Sequence, residues 1–281
     1  MILISDSGST KAEWVILSDT GVRERLFTAG INPFYQDSDD IIHLLKHEFS
    51  SSHSKFDAIY FYGAGCTNQE KGEIVKSALL QCFDANKIDI GSDLLAAAHS
   101  LCIDKQGIAC ILGTGSNSCF YDGQKITEQI SPLGFILGDE GSGAVLGKKL
   151  IGDILKKQLP LCLIEDFFKT YPVTTAEILE NVYKKPFPSR YLAGFTLFLS
   201  KNIHFPEIAA IVIDGFREFV TRNLLQYKAI KQSPVNFTGS IGFHFETQLR
   251  KVMGEADLMV GKIEQAPMNG LIAYHQMKLK K

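Results

Sequence analysis

Ile111-Leu112-Gly113-Thr114-Gly115-Ser116-Asn117 is the stretch that decides how this chain is read. A short apolar run delivers the backbone into a turn where small hydroxyl residues alternate with glycine. Without a Cβ, glycine lets backbone N–H groups approach an anion closely, and φ > 0 is open to it. An echo stands near the N-terminus: Ile2-Leu3-Ile4-Ser5-Asp6-Ser7-Gly8-Ser9-Thr10. Two such turns, roughly a hundred residues apart, predict two half-sites facing one phosphate chain.

Working outward, the first third reads as α/β. Strands are expected over 2–5, 12–18 and 22–27, with Asp19-Thr20-Gly21 as the turn between the last two. Helical spacing follows over 39–49, a strand over 58–62, a helix over 70–82, a strand over 87–90 and an Ala-rich helix over 93–101. The pattern then restarts with strands over 108–112, 117–121 and 125–130. Aligned on their openings, Asp6 falls opposite Gly113, Gly8 opposite Gly115, and Asp19-Thr20-Gly21 opposite Asp122-Gly123. The expected architecture is a duplicated unit: three antiparallel strands, then alternating helices and parallel strands. Beyond Gly138 the chain is mostly helical, over 143–159, 161–171, 176–183, 190–200, 206–227, 247–253 and 268–277. Short strands are expected over 235–238 and 258–260.

Composition narrows the class. The 281 residues are 45% hydrophobic and 21% charged, enough for one large domain or two ordinary ones with a proper core. A net charge of −2 argues against a broadly basic nucleic-acid surface. No apolar run approaches a membrane span, and no basic leader precedes the first strand, so a cytoplasmic location is expected. The six cysteines show no CxxC spacing and read as free buried thiols. The seven histidines show no spacing that suggests a metal.

Several residues could carry chemistry. Asp6, at a strand end beside a glycine turn, suits Mg²⁺ coordination directly or through water. Gly8, Ser9, Thr10 and Lys11 could meet phosphate oxygens, although a hairpin turn favours the same residues. Gly113, Thr114, Gly115 and Ser116 carry the same ambiguity. Gly138-Asp139-Glu140-Gly141-Ser142-Gly143 places two carboxylates beside flexible glycines, fit either for vicinal sugar hydroxyls or for a helix N-cap at Asp139 or Ser142. Asp93, where a strand meets a helix, is either an N-cap or a general base for an attacking hydroxyl, with the helix N-terminus keeping it ionised. Thr238-Gly239-Ser240-Ile241-Gly242 reads as a strand–helix loop against which adenine could lie. Asn32, in a Gly-Ile-Asn-Pro turn, could offer a sugar both donor and acceptor.

In this order and spacing, the blocks at 113–117, Gly134 and 138–142 resemble the N-acetylglucosamine kinase and BadF/BadG/BcrA/BcrD-type ATPase family of the sugar kinase, Hsp70 and actin superfamily. The resemblance spans essentially the whole chain. It implies two ribonuclease-H-like domains closing over a cleft, residues 1–110 with 267–281 and residues 111–266. It implies ATP as co-substrate, Mg²⁺ near Asp6, two phosphate loops at Asp6 to Thr10 and Gly113 to Ser116, and an adenosine loop at Thr238, Gly239, Ser240 and Gly242. It matches Asp93 to the catalytic base and Asn32 and Asp139 to sugar-holding positions, with Asn117, Gly138 and Glu140 expected on the same side. Where the family carries Gly-Gly-Trp-Gly, this chain reads Pro132-Leu133-Gly134-Phe135. The activity implied is ATP-dependent phosphorylation of an amino sugar, N-acetylglucosamine to its 6-phosphate, by a homodimer. A glucosamine or other hexosamine kinase, an ATPase driving conformational change in a partner, and a non-catalytic sugar sensor are the alternatives. No cysteine pair suited to a cluster supports the ATPase.

Overall fold

The computed structural model describes residues 1–8 and 10–280. Its chain forms two compact units, Met1–Asp104 with the segment from Pro267 onward, and Lys105–Ala266. The division falls before the second set of strands rather than inside it at residue 110, because the first strand of that set begins at Gly107 and belongs whole to its own sheet.

The first unit runs β1 (Ile2–Ser7), β2 (Lys11–Ser18), β3 (Gly21–Ala29), α1 (Ser38–Glu48), β4 (Lys55–Phe56), β5 (Ala58–Gly63), α2 (Gln69–Cys82), β6 (Asp84–Ala85), β7 (Ile88–Ser92) and α3 (Asp93–Cys102). Its main sheet has the order β3-β2-β1-β5-β7. β1 pairs antiparallel with β2 and parallel with β5, so it lies at the centre. Alternation decides its two faces. Leu3 joins Trp14, Ile16 and Phe61 in one core, while Ile2 and Ile4 join Val15, Leu17 and Tyr62 in another. A strand covered on both faces must be apolar nearly throughout, which is why β1 reads as a continuous hydrophobic run. The helices start where polar side chains can satisfy their first N–H groups. Asp37 and Asp40 form a capping box on α1, and Asn68 caps α2.

The second unit runs β8 (Gly107–Leu112), β9 (Ser116–Tyr121), β10 (Ile126–Ile130), α4 (Gly134–Leu137), α5 (Gly143–Leu155), α6 (Leu161–Thr170), α7 (Thr175–Tyr183), α8 (Pro188–Gly194), α9 (Thr196–Lys201), α10 (Pro206–Arg222), β11 (Val235–Thr238), α11 (Ser240–His244), α12 (Glu246–Glu255) and β12 (Val260–Glu264). The sheet order β10-β9-β8-β11-β12 repeats that of the first unit, with the same antiparallel and parallel relations. The expected duplication is therefore present. α13 (Met268–Leu279) then packs on α3 and β1 of the first unit.

Register corrects the alignment of the two openings. The last paired residues are Ser7 with Ala12 in one hairpin and Leu112 with Ser116 in the other. Gly8 thus corresponds to Gly113, and Asp6 to Ile111 rather than to Gly113. Other departures are local. The expected 190–200 helix breaks at Phe195, where the Thr196 hydroxyl donates to Ala193 O at 2.7 Å and the Phe195 ring turns into the core. α5 and α10 end four and five residues early. Lys157, with φ +56°, follows the first, and a 3-10 turn over Leu224–Gln226 follows the second. β12 begins at Val260, after Asp257 in a left-handed turn, rather than at Leu258. Among the cysteines, Cys162 is exposed and Cys82 half-buried, while the other four are buried. No helix among the described residues is long and apolar enough to cross a membrane.

α13 is locked to its unit by a buried polar cluster. The Tyr62 hydroxyl lies 2.9 Å from His99 Nδ1 and 3.0 Å from His275 Nε2. His99 also stacks on Tyr274 at 4.0 Å between ring centres. Burial pushes the imidazole pKa values down, to about 4 for His99 and about 3 for His275, so both are neutral and can share the hydroxyl.

Candidate active site

In the first unit, the carboxyl ends of β1, β5 and β7 lie side by side. Asp6 pairs with Tyr62, and Gly63 with Ser92. Asp6 continues the Ile2 and Ile4 face, the one that α3 covers. Asp93 opens α3, so both acidic groups belong to one end of one sheet face. Their proximity is felt electrostatically. Burial, then Asp93 and Glu13, push the Asp6 carboxyl up to about 7. The Asp93 carboxyl is also raised by burial, against the pull of the Leu94 N–H, which donates to Oδ1 at 2.8 Å. At Asp93, desolvation thus outweighs the hydrogen bonds that would lower the carboxyl.

Asp93 is not the N-cap. That role belongs to Ser92, whose hydroxyl accepts from Leu95 N–H at 3.2 Å. Asp93 sits one position inside the helix, with Oδ1 engaged by the Leu94 N–H while Ser92 serves the Leu95 N–H. Cys66 is close enough to Asp93 for that charge, after burial, to push its thiol up to about 12, which leaves it protonated and inert.

Ser7 has a function the sequence did not announce. Its hydroxyl accepts from Ile31 N–H at 2.8 Å and donates to Ile31 O at 3.1 Å, while Ser7 O accepts from Ala64 N–H at 2.8 Å. Three turns, after β1, around Asn32 and after β5, are thereby tied together. Asn32 is buried, and its Oδ1 accepts from Phe34 N–H at 3.0 Å, so it shapes its own turn as well as facing it. Gly8 N–H donates to Lys11 O at 3.0 Å, closing a tight hairpin. Thr10 is exposed, whereas the Lys11 ammonium lies 3.9 Å from the centre of the Phe27 ring rather than over the turn. Ser9 lies outside the described residues.

In the second unit, Gly113 O accepts from Gly143 N–H at 2.8 Å and Thr114 O from Ala144 N–H at 3.0 Å. The first turn of α5 is thus bonded directly to the glycine turn, and Ser142 caps that helix. Among the described residues, the N–H groups of Thr114 and Gly115 have no partner and are the donors this turn has left to present. Ser116 is paired with Leu112 in the β8–β9 hairpin, and its side chain is buried. Burial pushes the Asp139 carboxyl up to about 6, against the pull of the nearby Ser116 amide and with a smaller push from Glu140. Two other expected sugar contacts are otherwise engaged. Glu140 is 6% exposed and bonded to Arg222 and Asn223. Asn117 Oδ1 accepts from Ser118 N–H at 2.9 Å and from Gln129 Nε2 at 3.2 Å. Gly138 is required by packing, since a Cβ there would stand 2.0 Å from Pro132 O. The departing segment before it forms α4, which leaves Leu133, Ile136 and Leu137 exposed.

Thr238 ends β11 with its hydroxyl buried and, among the described residues, without a hydrogen-bond partner. Helix α11 begins at once with Ser240, so the segment is a strand–helix junction rather than a loop. Gly239 has φ +116°, and a Cβ there would stand 2.4 Å from Leu112 O. Gly242 faces inward, where a Cβ would find ordinary contacts 3.5 Å away on Leu112. Gly239→Ala is therefore expected to destabilise the protein by about 3 kcal/mol or more, and Gly242→Ala by less than about 1 kcal/mol. Denaturant unfolding of the two variants checks this; equal midpoints would contradict it.

No family model matches the chain, and no curated protein sequence does. Solved structures do. The one named "Putative N-acetylglucosamine Kinase" from Porphyromonas gingivalis is 45% identical, with a TM-score of 0.94 over 99% of this chain and 100% of its own. A protein of the same name from Chromobacterium violaceum is 16% identical, with a TM-score of 0.74 over 97% and 98%. A ROK family glucokinase from Streptomyces griseus, in complex with glucose and AMPPNP, is 12% identical, with a TM-score of 0.55 over 100% and 99%. The last two share the fold. By the first, the chain belongs to this N-acetylglucosamine kinase family of sugar kinases, within the actin-like ATPase superfamily.

Proposed function

We propose that this protein phosphorylates N-acetylglucosamine at its 6-hydroxyl with ATP. The observation that carries the reading is the pair Asp6 and Asp93 at one end of the first sheet, with Asp93 left uncapped by Ser92. Transfer to an alcohol needs a base that takes the hydroxyl proton as the phosphoryl group arrives. A half-buried carboxylate with a raised pKa accepts a proton more readily than a solvated one, and Asp93 is assigned that part. Asp139, set against the Gly115 turn, is assigned to sugar hydroxyls, together with Asn32. The N–H groups of Thr114 and Gly115 and the exposed Thr10 hydroxyl are assigned to phosphate oxygens. The shared name of the 45%-identical relative supports the choice of sugar.

The residues fit Mg²⁺. Asp6 is a carboxylate driven toward its protonated form by burial and then by the neighbouring negative charge of Asp93 and Glu13, so a cation there would restore its ionised state. Among the described residues no three acidic, histidine or cysteine side chains converge as a metal cage. Mg²⁺ in phosphoryl-transfer sites is usually held by one or two carboxylates, waters and the nucleotide itself. Bound there, it would neutralise charge developing on the transferred group.

A coupled ADP-release assay across a panel of sugars tests the proposal. Release is expected with N-acetylglucosamine and to be at least about tenfold slower with glucosamine and glucose, which lack the acyl-amino group. Equal release without sugar would instead favour an ATPase that works on a partner.

A further inference from the structure

The Asp-Glu pair divides its labour, and the second carboxylate is not where a ligand would use it. Glu140 is buried, with Oε1 2.9 Å from Arg222 Nε and Oε2 accepting from Asn223 Nδ2 at 3.1 Å. Both partners stand at the C-terminal end of α10, where the helix stops. Arg222 itself is 60% exposed, so its guanidinium reaches inward from the surface to meet a carboxylate that water does not reach. On either side of Glu140 the backbone is held in left-handed conformations, φ +53° at Asp139 and +71° at Gly141. A Cβ on Gly141 would press to 3.1 Å on Phe219 and 3.2 Å on Phe216, so the loop lies flat on α10.

The other side of the same loop faces the glycine turn. The Asp139 carboxylate lies against that turn, its Oδ2 3.0 Å from where a Cβ on Gly115 would stand. Ser142 N–H donates to Asp139 O at 3.1 Å, and Gly143 N–H to Gly113 O at 2.8 Å. A left-handed aspartate is a costly conformation that persists only when its surroundings hold it. Here Asp139 N–H donates to Pro132 O at 2.8 Å on one side, and the next residue, Glu140, is tied to α10 on the other.

We propose that Glu140, Arg222 and Asn223 form a positioning clamp that fixes Asp139 for sugar binding, and that Glu140 does not itself touch the sugar. The inference rests on the sugar-kinase reading above. Releasing the clamp makes the competent loop a minor population, so apparent sugar affinity falls by the fraction lost, whereas saturating sugar restores the active form.

The test uses Glu140→Gln, Arg222→Met, Asn223→Ala and Arg222→Lys in the full chain. Arg222→Met is expected to raise KM for N-acetylglucosamine about ten- to hundredfold, the factor that a lost charge-assisted bond corresponds to. It is expected to leave kcat within about threefold. Glu140→Gln should do the same, the double variant should be no worse than either single one, and Arg222→Lys should recover part of the loss. Normal KM in Arg222→Met beside a raised KM in Glu140→Gln would make Glu140 a direct contact and overturn the proposal. A fall in kcat with KM unchanged would reduce the clamp to general stability and overturn it equally. Hydrogen exchange of the Ser142 and Gly143 amides in the ligand-free protein needs no substrate. Arg222→Met should accelerate it at least about tenfold, and unchanged protection would overturn the clamp. If the wild type releases no ADP with any sugar, the kinase reading fails while exchange still decides whether the loop is clamped.

Discussion

Asp93→Asn is expected to lower sugar-dependent turnover by about 10²–10⁴-fold, the range spanned by loss of a general base. Nucleotide affinity, measured by titration with ADP, should stay within about twofold, because Asp93 belongs to the end of β7 and α3 and not to either glycine turn. The substitution keeps the shape of the side chain, and its carbonyl oxygen can still accept from Leu94 N–H. What it removes is the capacity to take a proton. The wild type should also lose kcat/KM toward acid along a limb that lies above the ordinary carboxylate range, because burial raises the Asp93 pKa and only the ionised form is a base. That limb should vanish in the variant. Near-normal turnover in Asp93→Asn would remove this residue from the base role and direct attention to another acceptor of the hydroxyl proton.

The duplicated α/β architecture was legible because its signals are local. Apolar runs of strand length, helical spacing and turn dipeptides recur in the same order, and both sheets have the order those signals imply. Which glycine corresponds to which was not legible, since similarity of composition does not fix register; hairpin pairing does, and it moved the match from Asp6 to Gly8. Asp93 was found as a strand–helix junction residue, but its freedom from capping depended on Ser92, a competitor one residue away for the same N–H groups. Glu140 was read as a ligand from its place beside Asp139. The partners that claim it, Arg222 and Asn223, are more than eighty residues further on, and no local pattern points to them. The same holds for Ser7, whose hydroxyl closes on Ile31 from 24 residues away. Short-range chemistry predicts which residues could serve a site; tertiary partners decide which of them already have other work.

Asp6→Asn should separate stability from activity. The folded-state pKa of about 7 lies above the 3.8 of a free aspartate, so between those values the native state binds more protons than the unfolded one. Stability contributed through this group therefore falls as pH rises from about 4 to about 7 and is lowest above 7. Asparagine cannot ionise and escapes that cost. In the absence of nucleotide and Mg²⁺, Asp6→Asn is expected to melt several degrees higher than the wild type at pH 8, on the order of a few kcal/mol, and at about the same temperature at pH 4. Activity should move the other way, down by at least about a hundredfold, because a neutral amide has no charge with which to hold the cation that would offset charge on the phosphates. Adding Mg²⁺ and ATP should then raise the melting temperature of the wild type more than that of the variant, since only the wild type gains binding energy through this carboxylate. Equal melting temperatures at pH 8 would mean that Asp6 is already ionised and well solvated in the folded chain. The repulsion among Asp6, Asp93 and Glu13 would then not be what prepares this end of the sheet for a cation.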